Sequence, residues 1–364
     1  MDICFNMPIS IVMQKGCISS VAEKVALLGK RAFLVCGSEV SSIGGINAVT
    51  DTLAYHNIPY SIFCCDEKDT LIRSANKIAE QVKSTKDIVL VAVGSNDILD
   101  CGKVASLFAT QDAIVSYEDL VKGQFCHKTI PTILIPIEIG ACIQAISPTV
   151  YITYNDDKSF ILDIPKTYAN VVLMDSNSYK NMSHGEIVDV AFDILYQAIE
   201  SIISAGSKTW IQTMASSSLS NMAFLFMDLL EDYSLDISNL LYNGVIAGIA
   251  FNQTNMSGLT ELCNSLMPHC NISHGQAVGL LLIPYLNFVS EKNPEAVSKI
   301  ISALALKSIQ DLKKVLDVLI RKHPTLTDEE ILNLAEKAYS LSELTNSSIA
   351  ITTREEYIRI LQQI

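Results

Sequence analysis

The sequence predicts an α/β half built on a parallel sheet, followed by an all-helical half. Three observations lead there. The chain has 364 residues, more than one core usually serves. Up to about residue 176, short apolar runs alternate with amphipathic stretches of helical spacing. From about Ser183 onward only the helical spacing remains. The two parts are placed at 1–176 and 177–364.

In the first part, Arg31 to Cys36 (RAFLVC) reads as a buried strand ending at Gly37-Ser38. Gly44 to Tyr55 follows with helical spacing, Ile46, Val49, Leu53 and Ala54 sharing one side. Tyr60 to Cys64 is a second strand and Leu71 to Val82 a second helix. Asp87 to Val93 (DIVLVAV) is the most strand-like segment, and Ile98 to Ala109 the helix after it. Thr132 to Pro136 is a further strand. Val150 to Tyr154 and Ser159 to Leu162 flank Asn155-Asp156-Asp157-Lys158 as a hairpin, and Asn170 to Met174 closes the half. Regular alternation of strand and helix implies a parallel sheet covered on both faces, with ligands beyond the carboxyl ends of its strands.

The second part reads as helices over Glu186 to Ala205, Thr209 to Tyr233, Ile237 to Phe251, Ala277 to Val289, Asn293 to Ala305, Ile309 to Lys322 and Asp328 to Ala338. Thr327 or Asp328 can cap the last. There are no internal repeats or low-complexity tracts.

Composition narrows the function. Hydrophobic residues make up 49% and charged residues 18%, as in a globular protein with a large core. A net charge of −13, with no basic run, argues against nucleic acid as a partner. The N-terminus lacks a signal-peptide pattern, and the most apolar run, Ala277 to Phe288, is too short to span a bilayer. Ten cysteines are scattered without metal-like or redox-motif spacing, the one close pair being the adjacent Cys64-Cys65. That usage predicts a cytoplasmic chain with reduced, mostly buried thiols. Small molecules, or further copies of the chain, are the expected partners, with no membrane.

Several segments then carry a resemblance. Val91 to Lys103 (VAVGSNDILDCGK) is similar to a strand–glycine loop–helix written GGGSxxDxxK, and Ile135 to Gln144 (IPIEIGACIQ) to IPTTAGTGSE. Phe192 to Glu200 (FDILYQAIE) is similar to DALxHaiE, and Ala247 to Gly258 and Ser273-His274-Gly275 to the stretch ending in an HG motif. Together, and in this order, they resemble the iron-containing (group III, metal-dependent) alcohol dehydrogenases. The resemblance spans nearly the whole chain, with partial identity at the motifs. It implies a Rossmann-like nucleotide-binding half and a helical metal and substrate half, the architecture shared with dehydroquinate synthase. It also implies NAD or NADP, a divalent metal (Fe, Mn, Mg or Zn), a small alcohol or aldehyde as substrate, and a homo-oligomer.

Carried over residue by residue, the resemblance implies a cofactor site at Gly94, Ser95, Asn96, Asp97, Asp100, Lys103, Glu138 and Lys158. Family glycines approach a pyrophosphate while the helix N-terminus points N–H groups at it. Here Ser95 and Asn96 replace two glycines. Asp97 replaces a serine at the helix entry, where it could act as the N-cap. Ile137 and Glu138 replace two threonines. Lys103 is either a phosphate contact or a solvated helix lysine.

The family holds its metal with one Asp and three His. Asp193 matches the Asp, Gln197 and Glu261 stand where two His would be, and His274 matches the third. A further family His, near the nicotinamide, falls at Ser265. Asp193 and Gln197 are four apart and share a helical face. Two readings stay open: an oxygen-rich site of Asp193, Gln197, Glu261 and His274 suited to Mn²⁺, Fe²⁺ or Mg²⁺, or an ordinary polar helix face with His274 as a helix-entry residue. His184 and His269 read as structural or surface residues, and Cys263 and Cys270 as small buried hydrophobes. Functionally, the sequence supports an NAD(P)-linked oxidoreductase, a non-catalytic binding or assembly module, or a synthase-like activity in the same site.

Overall fold

A computed structural model of the protein describes residues 5–38, 46–66, 68–122, 125, 129–155, 158–180, 182–231, 236–254, 258–345 and 353–364. The chain divides into two compact units, Met1–Asn181 and Met182–Ile364.

The first unit runs β1 (Ser10–Met13), α1 (Val21–Leu28), β2 (Arg31–Cys36), α2 (Asn47–Tyr55), β3 (Tyr60–Cys64), α3 (Leu71–Val82), β4 (Ile88–Gly94), α4 (Asn96–Phe108), α5 (Tyr117–Lys122), β5 (Thr132–Pro136), α6 (Ile139–Ala145), β6 (Thr149–Asn155), β7 (Lys158–Asp163) and β8 (Val171–Met174). Among the described residues, six strands form one sheet in the order β1-β8-β5-β4-β2-β3, and every pairing in it is parallel. The central strand β4, IVLVAVG, is buried along its whole length, as expected for a strand covered on both faces. On one face, Cys17, Val21, Val25, Val49 and Leu53 pack against Ala32, Leu34, Val89, Val91, Ile133 and Ile135. On α4, a methyl group at Gly102 would come 2.7 Å from the Ala92 Cβ, so the glycine lets this helix lie close on β4. β6 and β7 pair antiparallel, as the sequence predicts, while Asp156 and Asp157 of the predicted turn lie outside the described residues.

The second unit is helical among its described residues: α7 (His184–Ile203), α8 (Thr209–Leu230), α9 (Ile237–Phe251), α10 (Gly258–Cys270), α11 (His274–Lys292), α12 (Pro294–Ala303), α13 (Ile309–Leu319), α14 (Asp328–Thr345) and α15 (Arg354–Leu361). Side chains fix many of the starts. Ser183 and Glu186 form a reciprocal capping box at α7, and Ser273 caps α11. Thr327, rather than Asp328, caps α14: its Oγ1 accepts from the Glu330 N–H at 3.3 Å. α7 and α11 touch backbone to side. A Cβ on Gly275 would stand 2.2 Å from the Asp189 carbonyl oxygen, and one on Gly279 2.7 Å from the Phe192 ring. These two glycines, one turn apart, let the helices approach as closely as they do.

Six elements have no counterpart in the sequence pattern: the short β1, α1, α5, α6 and α15, and the 13-residue α10. β1 is four residues long and is defined by its pairing with β8. α10 carries Pro268 and a polar mixture that hides its periodicity. Among the described residues no helix is long and apolar enough to cross a membrane.

Candidate functional site

In the first unit the candidate cofactor residues gather where β4 passes into α4. Gly94 ends the strand, and a Cβ there would lie 2.7 Å from the Ile98 Cβ, so no larger residue fits without a shift. Ser95 is extended and takes the N-cap position, but its side chain accepts no capping hydrogen bond. Asn96 and Asp97 are exposed in the first turn. The helix starts earlier than its apolar spacing implies, so the expected Asp97 cap is corrected: Asp97 is the second helical residue, and the cap position belongs to Ser95. Helix ends capped by side chains, such as α3 at Thr70 and α7 at Ser183, contrast with this one.

Asp100 and Lys103 lie deeper. Lys103 is 1% exposed and donates to Asp100 Oδ1 at 2.9 Å, the Gln144 carbonyl at 2.7 Å and the Thr149 carbonyl at 3.4 Å. Gln144 Nε2 in turn donates to both Asp100 oxygens at 3.0 Å. The solvated-lysine reading is therefore corrected. An ammonium group has three protons, and all three find acceptors inside the protein. Burial pulls the Lys103 pKa below its ordinary value, against the opposing charge of Asp100. The pair fastens α4 to the start of the β6–β7 hairpin. Glu138 is exposed at the entry to α6. The side chain of Lys158 lies outside the described residues.

In the second unit, three helices bring the candidate ligands together. Asp193, Gln197 and Glu200 follow one another along α7, Glu261 lies in α10, and His274 is the first residue of α11. His274 Nδ1 and Asp193 Oδ1 are 2.6 Å apart. His274 does stand at a helix entry, and its ring partner there is a carboxylate. The Tyr196 ring meets the imidazole edge-on, with centroids 5.4 Å apart, and its hydroxyl hydrogen-bonds Thr260, tying α7 to α10 beside Glu261. Burial pulls the His274 pKa down, but the charge and hydrogen bond of Asp193 outweigh it and the net shift is upward.

Gln197 is 8% exposed, and its Oε1 has no hydrogen-bond partner among the described residues. Glu261 and Glu200 are buried. The Cys263 thiol, wholly buried, is pushed well up by desolvation, and the charges of Asp193, Glu200 and Glu261 add to that. The remaining named residues have structural tasks. Ser265 Oγ donates to the Leu262 carbonyl at 2.9 Å, His184 Nε2 lies 3.3 Å from the Leu229 carbonyl, and His269 Nε2 lies 3.1 Å from Glu330 Oε1.

Asp189 lies on α7 four residues before Asp193. It accepts from both Ser273 Oγ and Gln276 Nε2, and twice from Arg321 Nη2 at 2.7 Å. This cluster holds the start of α11 against α7 and so positions His274. Four residues before Asp193, Asp189 was visible on the same helical face, but its partners lie 84 to 132 residues away.

A parallel-sheet unit whose central strand ends at Gly94 is followed by a helical unit that holds an Asp–His pair. The chain belongs to the iron-containing alcohol dehydrogenase family. The family profile "Iron-containing alcohol dehydrogenase" matches residues 8–176, and "Fe-containing alcohol dehydrogenase family, C-terminal" matches 187–362. Sulfoacetaldehyde reductase of Bilophila wadsworthia is 20% identical, with 97% of this chain and 96% of that protein covered. 4-Hydroxybutyrate dehydrogenase of Clostridium kluyveri is 21% identical over 72% of this chain and 74% of its own length. Among solved structures, sulfoacetaldehyde reductase from Bifidobacterium kashiwanohense in complex with NAD+ superposes with a TM-score of 0.84 at 18% identity, covering 100% of this chain and 98% of that one.

Where the resemblance implies three imidazoles, this chain has an amide (Gln197), a carboxylate (Glu261) and one imidazole (His274), a donor set that does not fit a three-histidine metal centre. Among the described residues, no three His, Cys, Asp or Glu side chains come together as a group that could hold a metal ion. What remains is the Asp193–His274 contact with the orphaned Gln197 oxygen one turn along.

Proposed function

We propose that the chain is a nicotinamide-dinucleotide-linked oxidoreductase of a small alcohol or aldehyde, in which the Asp193–His274 pair carries the hydroxyl proton. The 2.6 Å contact carries the reading. With the shared proton on Nδ1, Asp193 fixes the imidazole and leaves Nε2 as the basic nitrogen, as in other carboxylate–histidine pairs. In the oxidative direction Nε2 would take the alcohol proton, and in reduction it would return it. A dinucleotide, when bound, would supply the hydride chemistry.

In support, the first turn of α4 follows a fully buried strand and has no side-chain cap, leaving N–H groups to face a diphosphate. The relatives named above act on small aldehydes or hydroxyacids by their names, which agrees with this substrate class. The test is thermal stabilisation by NAD(H) and NADP(H), each with and without a divalent ion, followed by turnover on short aldehydes. Stabilisation by one dinucleotide without added metal is the expected result. No shift with any of them removes the reading.

A second reading, a catalytically lapsed binding or assembly module, is favoured by one observation. Asp97 and Glu138 put two exposed carboxylates beside the loop that would receive a phosphate. It predicts neither dinucleotide-induced stabilisation nor turnover.

A further inference from the structure

The adjacent thiols of Cys64 and Cys65 stand at the carboxyl end of β3, and neighbouring residues of a strand face opposite sides of the sheet. Each meets a different, deeper thiol. Cys64 is the register partner of Cys36 on parallel strand β2, so both side chains leave the sheet on the same face, and their sulfurs are 3.6 Å apart. Cys65 hydrogen-bonds Cys101 of α4 on the other face. The obvious pair in the sequence is therefore not a pair in space.

We propose that Cys64 is an oxidation site resolved by Cys36, and that an intrachain Cys36–Cys64 disulfide is its oxidised form. Neighbouring strands run about 4.8 Å apart, inside the roughly 4.4–6.8 Å between α-carbons that a disulfide accepts. The sulfurs need to close from 3.6 Å to about 2.05 Å, within reach of a χ1 adjustment. Exposure sets the order of events: Cys64 is exposed and Cys36 fully buried. Burial, with the neighbouring Cys64, raises the Cys36 pKa to about 12, so it stays a thiol while Cys64 meets the oxidant.

With hydrogen peroxide as oxidant, the Cys64 sulfur attacks one peroxide oxygen, the O–O bond breaks, and a sulfenic acid and one water result. The Cys36 sulfur then attacks the sulfenic sulfur. The S–O bond breaks, and the hydroxide leaves with the Cys36 proton as a second water. Two thiols lose two electrons, and one peroxide gains them. A thiolate-metal site is not the competing explanation, since no metal-holding group of three such residues is found among the described ones.

The location gives the bond a consequence. Cys36 is also the register partner of Val93, the residue before Gly94, so the disulfide would form at the ligand end of the sheet, one strand from the glycine loop. The test is peptide mapping of the full-length protein after peroxide treatment, with and without dithiothreitol. The expected result is a reductant-reversible Cys36–Cys64 linkage whose yield does not depend on protein concentration. In Cys36→Ser, dimedone labelling of Cys64 should rise several-fold. In Cys64→Ser, at an exposed position, the linkage should vanish while the fold stays intact. A Cys64–Cys65 bond in its place, linkage only between chains, or Cys64 carried to sulfinic acid without any bond to Cys36 overturns the proposal.

Discussion

His274 Nδ1 lies 2.6 Å from Asp193 Oδ1, although 81 residues separate them. The contact joins the first residue of α11 to the middle of α7 and ties the retained halves of the family's ligand set directly to each other. Asp193→Asn keeps the size of the side chain and removes its charge. It is expected to lower kcat/KM for aldehyde reduction by about 10²-fold or more, the range of general acid–base contributions, with a smaller change in melting temperature. Unchanged turnover in both Asp193→Asn and His274→Ala excludes the pair from the chemistry.

Lys103 and Asp100 make the second prediction. Removing one member of a buried ion pair leaves the other charged and unpaired, so Lys103→Met should destabilise the protein by roughly 3–5 kcal/mol. Replacing both, with Asp100→Asn added, should recover part of that loss. Urea denaturation of the parent, the single variant and the double variant measures it. A Lys103→Met protein of wild-type stability that has lost only dinucleotide affinity would instead make Lys103 a phosphate ligand.

Gly275 supplies the third. A methyl group there has no room against the Asp189 backbone, so Gly275→Ala should cost about 1–3 kcal/mol through overpacking. It should also push His274 away from Asp193, and turnover should fall with stability. A variant as stable and as active as the parent would show that the close approach of α7 and α11 matters for neither.

The start of α7 has a pH signature. Hydrogen bonds from the Ser183 side chain and backbone hold the Glu186 carboxyl below its ordinary 4.5. A depressed carboxylate contributes stability that is present above the unfolded pKa and is lost as pH falls through the folded one. The parent should therefore lose more stability than Ser183→Ala on acidification below about pH 4.5. Near neutral pH, loss of the cap should cost Ser183→Ala about 0.5–2 kcal/mol. Equal acid slopes in the two proteins, by denaturation at stepped pH, would falsify the capping-box account.

Much of the architecture was legible beforehand. Hydrophobic patterning located β2, β3, β4, β5 and most helices within a few residues, because fully buried strands such as β4 and β5 and helices with one apolar face leave strong local patterns. The elements that escaped are short or irregular: β1 is recognisable only when β8 lies beside it, and α10 carries a proline. The candidate site was legible as a set of names. Asp193 and His274 could be singled out, but not their direct bond, and Lys103 could be noticed without its burial.

By itself, the sequence determined the strand–helix alternation of the first half, the helical character of the second, and which residue types stand at Gly94 to Asp97, Asp193, Gln197, Glu261 and His274, since these are properties of residues in a row. Only the tertiary structure decided that Lys103 is sealed inside the protein, that Cys64 and Cys65 turn to different partners, and that Asp189 joins Asp193 in anchoring the entry of α11. Such facts depend on which surfaces meet across dozens of residues. Meetings of that kind are settled by packing, where a missing Cβ on Gly275 or a shared register between Cys36 and Cys64 counts for more than any local propensity.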